Sequence, residues 1–225
     1  MTSIYPVSAG TVDNYKNQFM IERCTNVSIS MIVSQNGDVY VGQHINITKV
    51  GLGILYYANG DVYIGNWTDD AKHGCGVFIE ANGTKYVGKW KNNKMHWSKN
   101  QIQFANGNFY EGNVQEGSIS GIGTMTYENN DTVAYTGDWL NGHWQGSGTI
   151  KYTDGEIYKG EFHNDERSGK GKCIWASGLE YDGEWRNDTL DGNGILDARN
   201  IDNKIHLGPW SQGTQTQSGY TLTIV

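Results

Sequence analysis

Few residues in this chain could do chemistry, and their spacing limits what that chemistry would be. Six histidines (His44, His73, His96, His143, His163, His206) and the acids Asp69, Asp70, Asp165, Glu166, Asp188 and Asp191 are the candidate metal ligands and proton carriers. His73 and His96 occupy equivalent places in two copies of a repeat, so shared ancestry explains them without a metal. The acids sit in polar connecting segments and read as solvated, so no metal site is expected. Cys24, Cys75 and Cys173 are odd in number and far apart, with no Cys-x-x-Cys pair, which predicts free thiols in a reducing compartment. Gly-x-Gly pairs recur, but without the third glycine and the strand-to-helix context of a dinucleotide site. No Walker loop, HExxH or GxSxG occurs. No catalytic residue and no cofactor is expected. The one concentration of like charge is Lys85, Lys89, Lys91, Lys94 and Lys99, which suits an anionic group.

Composition narrows the class of protein that carries these residues. Of 225 residues, 31 are Gly and 2 are Pro, against usual shares of roughly 7% and about 5%. A disordered linker would be rich in both, and the 8 Trp and 14 Tyr supply rings to bury. The net charge of -7 opposes nucleic acid, and no apolar run is long enough for a membrane-spanning helix. Met1 to Gly10 lacks the pattern of a signal peptide. The six Asn-x-Ser/Thr sequons, at Asn26, Asn46, Asn66, Asn82, Asn130 and Asn187, would matter only on an exported chain.

The glycines and rings recur together. Tyr-x-Gly-x-aromatic appears at Tyr63-Gly65-Trp67, Tyr86-Gly88-Trp90, Tyr135-Gly137-Trp139, Tyr158-Gly160-Phe162 and Tyr181-Gly183-Trp185, with weaker copies at Tyr40-Gly42-His44 and Tyr110-Gly112-Val114. Successive tyrosines are 23, 23, 24, 25, 23 and 23 residues apart. A Gly-x-Gly begins eleven residues after each Tyr except Tyr86, where Trp97-Ser98-Lys99 stands instead. Tyr15-Lys16-Asn17-Gln18-Phe19 looks like one more, decayed copy.

This pattern resembles the MORN repeat (membrane occupation and recognition nexus), over residues 40 to 203 and, more weakly, 15 to 39. Bacterial choline- or glucan-binding repeats are the nearest alternative, but they usually carry Gly-Trp and Trp-Tyr-Tyr cores on exported proteins. The expected fold is all-β: an elongated single-sheet solenoid of tandem antiparallel β-hairpins. Residues 1–14 would be an N-terminal cap or extension, 15–39 a degenerate repeat, 40–203 seven tandem repeats and 204–225 a C-terminal cap. Turn signals at Asn36-Gly37, Asn59-Gly60, Asn82-Gly83, Asn106-Gly107, Asp154-Gly155 and Ser177-Gly178 close the hairpins. The turn at Asn129-Asn130-Asp131 should be longer. Two strands per repeat at ~4.8 Å each would make a sheet on the order of 75 Å across.

Alternation along a strand puts Tyr63, Gly65 and Trp67 on one face and Gly74, Gly76 and Phe78 on one face of the next. A ring should lie over glycines, which have no Cβ to obstruct it. The second face is apolar early (Met31, Val33, Val39, Val41, Ile54, Tyr56, Val62, Ile64, Val77, Ile79) and polar late (Lys151, Lys159, Lys170, Lys172, Glu180, Asp182). Such an apolar face needs a cover, supplied either by residues 1–30 or by a second copy or partner.

The resemblance implies a non-enzymatic scaffold in the cytoplasm, in a cytoskeletal or membrane-linked assembly, as an elongated homodimer in several members. It implies a protein partner, a peptide or helix, on the aromatic face at Tyr63, Trp67, Tyr86, Trp90, Tyr135, Trp139, Tyr158, Phe162, Tyr181 and Trp185. The same rings also suit simple packing of the sheet. The alternative is a phosphoinositide- or phospholipid-binding module that tethers to membrane, with Lys85, Lys89, Lys91, Lys94 and Lys99 as its contact.

Overall fold

Alternating apolar and polar residues, with few residues that favour a helix, leave each repeat one way to satisfy its backbone: pairing with its neighbours. A computed structural model describes residues 27–128 and 130–224. The N-terminal extension, the decayed copy at Tyr15–Phe19, Cys24 and Asn129 lie outside the described residues. Within them, nineteen strands form a single antiparallel sheet that does not close. A four-residue helix, Arg199–Asp202, is the only helix described. Successive long strands pair with one another, as Val62–Thr68 does with Thr48–Tyr56 and Ala71–Ile79, whereas the two-residue strands Lys94–Met95 and Thr214–Gln215 lie beside the end of the preceding strand, which pairs onward with Trp97–Gln103 or Tyr220–Thr223.

The registers align equivalent positions into lanes across the sheet. One lane is glycine from Gly42 to Gly208, interrupted once, by Asn100. Tyrosine rings lie over this lane. A Cβ built on Gly148 would stand 2.5 Å from the Tyr135 hydroxyl oxygen, and one on Gly137 would stand 2.5 Å from the Gly148 backbone. The ring is therefore accommodated only because both partners are glycine. Its hydroxyl then donates to a carbonyl three residues on, from Tyr135 to Asp138 at 2.9 Å and from Tyr40 to Gln43 at 2.7 Å. Gly74, the first glycine of its pair, is required for a different reason. It adopts φ +58° at a bulge opposite Gly65 and Asn66, with the Asn66 side chain over it.

The tryptophans join one repeat to the next. Nε1–H of Trp67, Trp90, Trp139 and Trp185 donates to Gly53, Gly76, Gly123 and Gly171 of the preceding repeat at 3.3, 3.2, 3.1 and 3.0 Å. Trp67, Trp139 and Trp185 also stand edge-on between two tyrosines, and Trp90 between Tyr63 and Phe78. Trp67 lies 5.6 Å from Tyr40 and 5.0 Å from Tyr63, and Trp139 lies 5.7 Å from Tyr110 and 5.0 Å from Tyr135. These geometries match the favoured edge-to-face arrangement of rings. Beyond residue 203 the pattern continues: Gly208 joins the glycine lane, and Trp210 donates to Gly194 at 3.3 Å.

Turn chemistry differs from expectation in two respects. The polar connecting segments that carry the acids are tight two-residue hairpins rather than loops. Asp69/Asp70, Asn92/Asn93, Asn164/Asp165 and Asn187/Asp188 all have positive φ, which matches the right-handed twist of the flanking strands. Their acids are also more than solvated residues. Asp70, Asn93, Asp165 and Asp188 accept from the backbone of the preceding repeat at Lys49, Lys72, Trp144 and Arg167, at 3.0, 2.8, 2.6 and 3.0 Å. At the opposite strand ends, Asp38 and Asp61 accept from Ala58 and Ala81 of the following repeat at 2.9 and 2.8 Å. Both rims of the sheet are therefore clamped between repeats.

The uneven spacings also have a local cause. At the Asn-Gly turns a backbone N–H reaches the carbonyl four residues on, as Tyr57 reaches Asp61, whereas Tyr127 reaches Val133. The 25-residue spacing therefore lies in the turn around Asn130, longer as expected. The 24-residue spacing lies in the bulge between Trp97 and Asn100.

Replacing Gly148 with Val must displace the Tyr135 ring, and we expect a loss of about 1–3 kcal/mol by overpacking. Chemical denaturation of Gly148→Val beside the unaltered chain measures this, and an unchanged midpoint would refute the ring-over-glycine account.

Candidate partner-binding surfaces

The aromatic face is already filled. Tyr63, Tyr135, Tyr158 and Tyr181 are fully buried, and Trp67, Trp90, Trp139, Phe162 and Trp185 are at most 5% exposed. Of the ten rings expected to meet a partner, Tyr86 alone is half-buried rather than buried. Its hydroxyl donates to Glu80 at 3.1 Å. Burial pushes the phenols of Tyr40, Tyr63, Tyr135 and Tyr158 well above the ordinary 10.0, and those of Tyr110 and Tyr181 to about 12.

The space between successive tyrosines is occupied by one variable side chain per repeat, nine residues after the Tyr: Lys49, Lys72, Met95, Ile119, Trp144, Arg167 and Leu190. The Lys72 ammonium lies 4.2 Å from the Phe78 ring centroid, 4.9 Å from Trp90, 5.6 Å from Tyr63 and 5.8 Å from Tyr57. Attraction to four ring faces holds it there, while burial lowers its pKa below 10.5. Arg167 lies 4.5 Å from Trp185 and bridges Glu156 at 2.9 Å and Asp188 at 3.0 Å; burial disfavours its charge, but Tyr152, Asp188 and Glu156 outweigh that and raise its pKa. Sequence reasoning missed this position because its residue type varies. Its constant offset from Tyr was the available signal.

The opposite face carries the contrast expected of it, with one addition. A single lane runs Met31, Val41, Ile54, Ile64, Val77, Val87 over six neighbouring strands, then turns polar from Gln101 and Glu111 through Thr136 and Thr149 to Lys159, Lys172 and Asp182. It becomes apolar again at Ile195, Leu207 and Tyr220. Met31 and Val33 are 66% and 62% exposed, whereas Val62 and Val77 are buried. In the polar part, Thr149, Lys159, Glu161, Lys170, Lys172 and Asp182 line an open hollow of about 540 Å³.

The lysine cluster gathers around the irregular repeat. Lys89, Lys91, Lys94 and Lys99 are exposed and Lys85 is half-buried. Lys94 pairs with Glu116 at 3.3 Å. His143 pairs with Asp165 at 2.5 Å, and no group of three His, Cys, Asp or Glu among the described residues is placed to hold a metal. Burial of the Cys173 thiol, and then the Glu156 carboxylate beside it, push its pKa up to about 12, so it is a poor nucleophile. No helix among the described residues is long and apolar enough to cross a membrane.

Because Met95 fills the same slot one repeat on from Lys72, Lys72→Met should leave stability at pH 7 unchanged or raised in a urea titration. The buried phenols have folded pKa values above 10.0, so their stabilisation is complete below pH 10 and is lost as pH rises through the folded values. Urea midpoints should therefore fall steadily from pH 9 to about 12. A flat profile would show that the rings are solvated.

Among solved structures, the TCP10 domain of Danio rerio CPAP in complex with a peptide of Danio rerio STIL is similar to this chain at 12% identity, with 86% of this chain and 97% of that one covered and a TM-score of 0.35. The SAS-4 (dCPAP) TCP domain of Drosophila melanogaster, in complex with a proline-rich motif of Ana2 (dSTIL), is similar at 10% identity, covering 92% and 97%, also at 0.35. Scores this low do not establish a shared fold. No curated protein matches the sequence. The family model described as "MORN repeat" matches residues 40–62, 63–85, 86–96, 110–132, 135–157, 158–180 and 181–200, and the chain belongs to the MORN-repeat family.

Proposed function

We propose that this protein is a non-enzymatic scaffold that holds a protein partner, within a cytoskeletal or membrane-linked assembly, through the face of the sheet opposite its rings. The observation that carries this reading is the apolar lane Met31–Val41–Ile54–Ile64–Val77–Val87, with Ile29, Met31, Val33, Val41 and Tyr56 all exposed beside or within it. A contiguous apolar surface on a soluble chain marks an interaction site. The aromatic face supports the reading in a different way. Its rings hold the sheet rigid, and a partner peptide reaching them would do so at Tyr86. A rigid surface needs little ordering on binding, which favours affinity.

Affinity capture from the native source, read by mass spectrometry, tests the proposal. The double variant Met31→Glu/Val41→Glu should melt like the unaltered chain, because both side chains are exposed, but should lose the captured partner. Thr136→Glu/Thr149→Glu, in the polar part of the same lane, should keep it. Light scattering of the same proteins shows whether the surface pairs two copies instead. A partner retained by the Met31/Val41 variant would refute this reading.

A further inference from the structure

Where the repeat opened by Tyr86 meets the one opened by Tyr110, both regularities of the fold are broken at one place. Asn100 replaces a glycine in the glycine lane, and Val114 stands where a tryptophan would continue the ring contacts. The family match stops at residue 96 and resumes at 110. Trp97 takes the position of the first glycine in the Gly-x-Gly pair. Gly51, Gly74, Gly146 and Gly169 adopt φ between +58° and +61° there, and Trp97 adopts φ +72°. Most other non-glycine residues with positive φ are Asn or Asp, and among the described residues Trp97 is the only aromatic one. A β-carbon disfavours this conformation, and a bulky residue in it is an outlier.

The local structure is well made despite the strain. The fully buried Asn100 accepts from Lys89 N at 3.0 Å and donates to the carbonyls of Trp97 at 2.7 Å and His96 at 3.2 Å. His96 accepts from Glu116 N at 3.1 Å and stands edge-on to the indole at 4.8 Å. These contacts hold Trp97 44% exposed. Packing alone supplies no reason to place an indole where glycine fits without strain, and strain of this kind persists at functional sites. Around it, Lys89, Lys91 and Lys99 carry no ion pair among the described residues, and Lys94 has only its exposed pair with Glu116.

We propose that Trp97, with Lys89, Lys91, Lys94 and Lys99, is a docking site for an acidic peptide segment of a partner protein. A large apolar side chain of that segment packs on the indole, and flanking carboxylates meet the ammonium groups. The site rests on the scaffold reading and adds the chemistry of a partner. A peptide is favoured over an anionic bilayer because a bilayer would confront the rest of a chain of net charge -7. At a screening length of about 8–10 Å, a short segment feels mainly the basic patch. Tryptophan is among the residues most enriched at the energetic centre of protein interfaces.

The test uses the full chain, a short fluorescein-labelled peptide of Glu and Phe, its Lys-for-Glu counterpart, and phosphatidylserine vesicles. The acidic peptide should bind, more weakly at high salt, and the basic one should not. Trp97→Gly and Lys91→Glu/Lys99→Glu should each weaken binding at least about tenfold. Trp97→Gly should melt at the same temperature or higher, because glycine relieves the strain; a merely structural Trp97 would lower it. Equal binding by Trp97→Gly, a lowered melt, no binding by the unaltered chain, or Trp97-dependent binding to vesicles alone would each overturn the proposal. Met31→Glu/Val41→Glu should bind the acidic peptide normally, so failure of the opposite-face reading is seen separately.

Discussion

A tyrosine ring lying across two backbone segments that carry no Cβ is the contact on which the sheet depends. It brings Gly137 and Gly148 so close that a methyl group on either would meet ring or backbone at 2.5 Å. Only that approach lets the hydroxyl reach a carbonyl of its own strand, at Asp138. The same enclosure lets the neighbouring indole stand edge-on to the ring and donate to the previous repeat. Glycine normally weakens a strand. Here the ring supplies the packing that the missing side chain would have supplied.

A single open sheet has no second layer to bury its rings, so the solution has to come from within one face. The variable residue nine positions after each Tyr does this. It is charged at Lys49, Lys72 and Arg167 and apolar at Met95, Ile119 and Leu190, yet each lies along the same aromatic lane. Long side chains bury their stems readily, and the cations are also drawn to the ring faces. At the rims the problem is different, because hairpin ends leave backbone N–H groups unpaired. Asp70, Asp165 and Asp188 accept those groups from the repeat before. Asn93 does the same at its turn, so each of these side chains ties its hairpin end to the repeat before.

The irregular repeat shows what the regular ones require. Without a glycine at Asn100, the ring-over-glycine contact is lost, and a buried amide ties the backbone together instead. The extra residue is taken up in a bulge that turns Trp97 and Lys99 into left-handed conformations. The sheet passes through the defect because the lanes resume in register at Gly112 and Tyr110. A local departure of this kind can carry a specific surface without altering the repeats on either side.

The spacing of Tyr, Gly and Trp determined the fold class, the number of strands per repeat and the sites of both irregularities, because each depends on short-range geometry. A tyrosine two residues before a glycine shares its face and can lie over it, and an Asn-Gly pair favours a tight turn. The exposure of the rings was not legible. Trp67 and Trp97 look equally available as letters, yet one is 3% and the other 44% exposed. The difference comes from the residues that lie beside each ring across strands, such as Lys49 along Trp67 and His96 against Trp97. The role of the turn acids was hidden for the same reason, since Asp188 finds the Arg167 backbone twenty-one residues away. Only the register of the assembled sheet decides which distant groups meet, and so which surfaces remain for a partner.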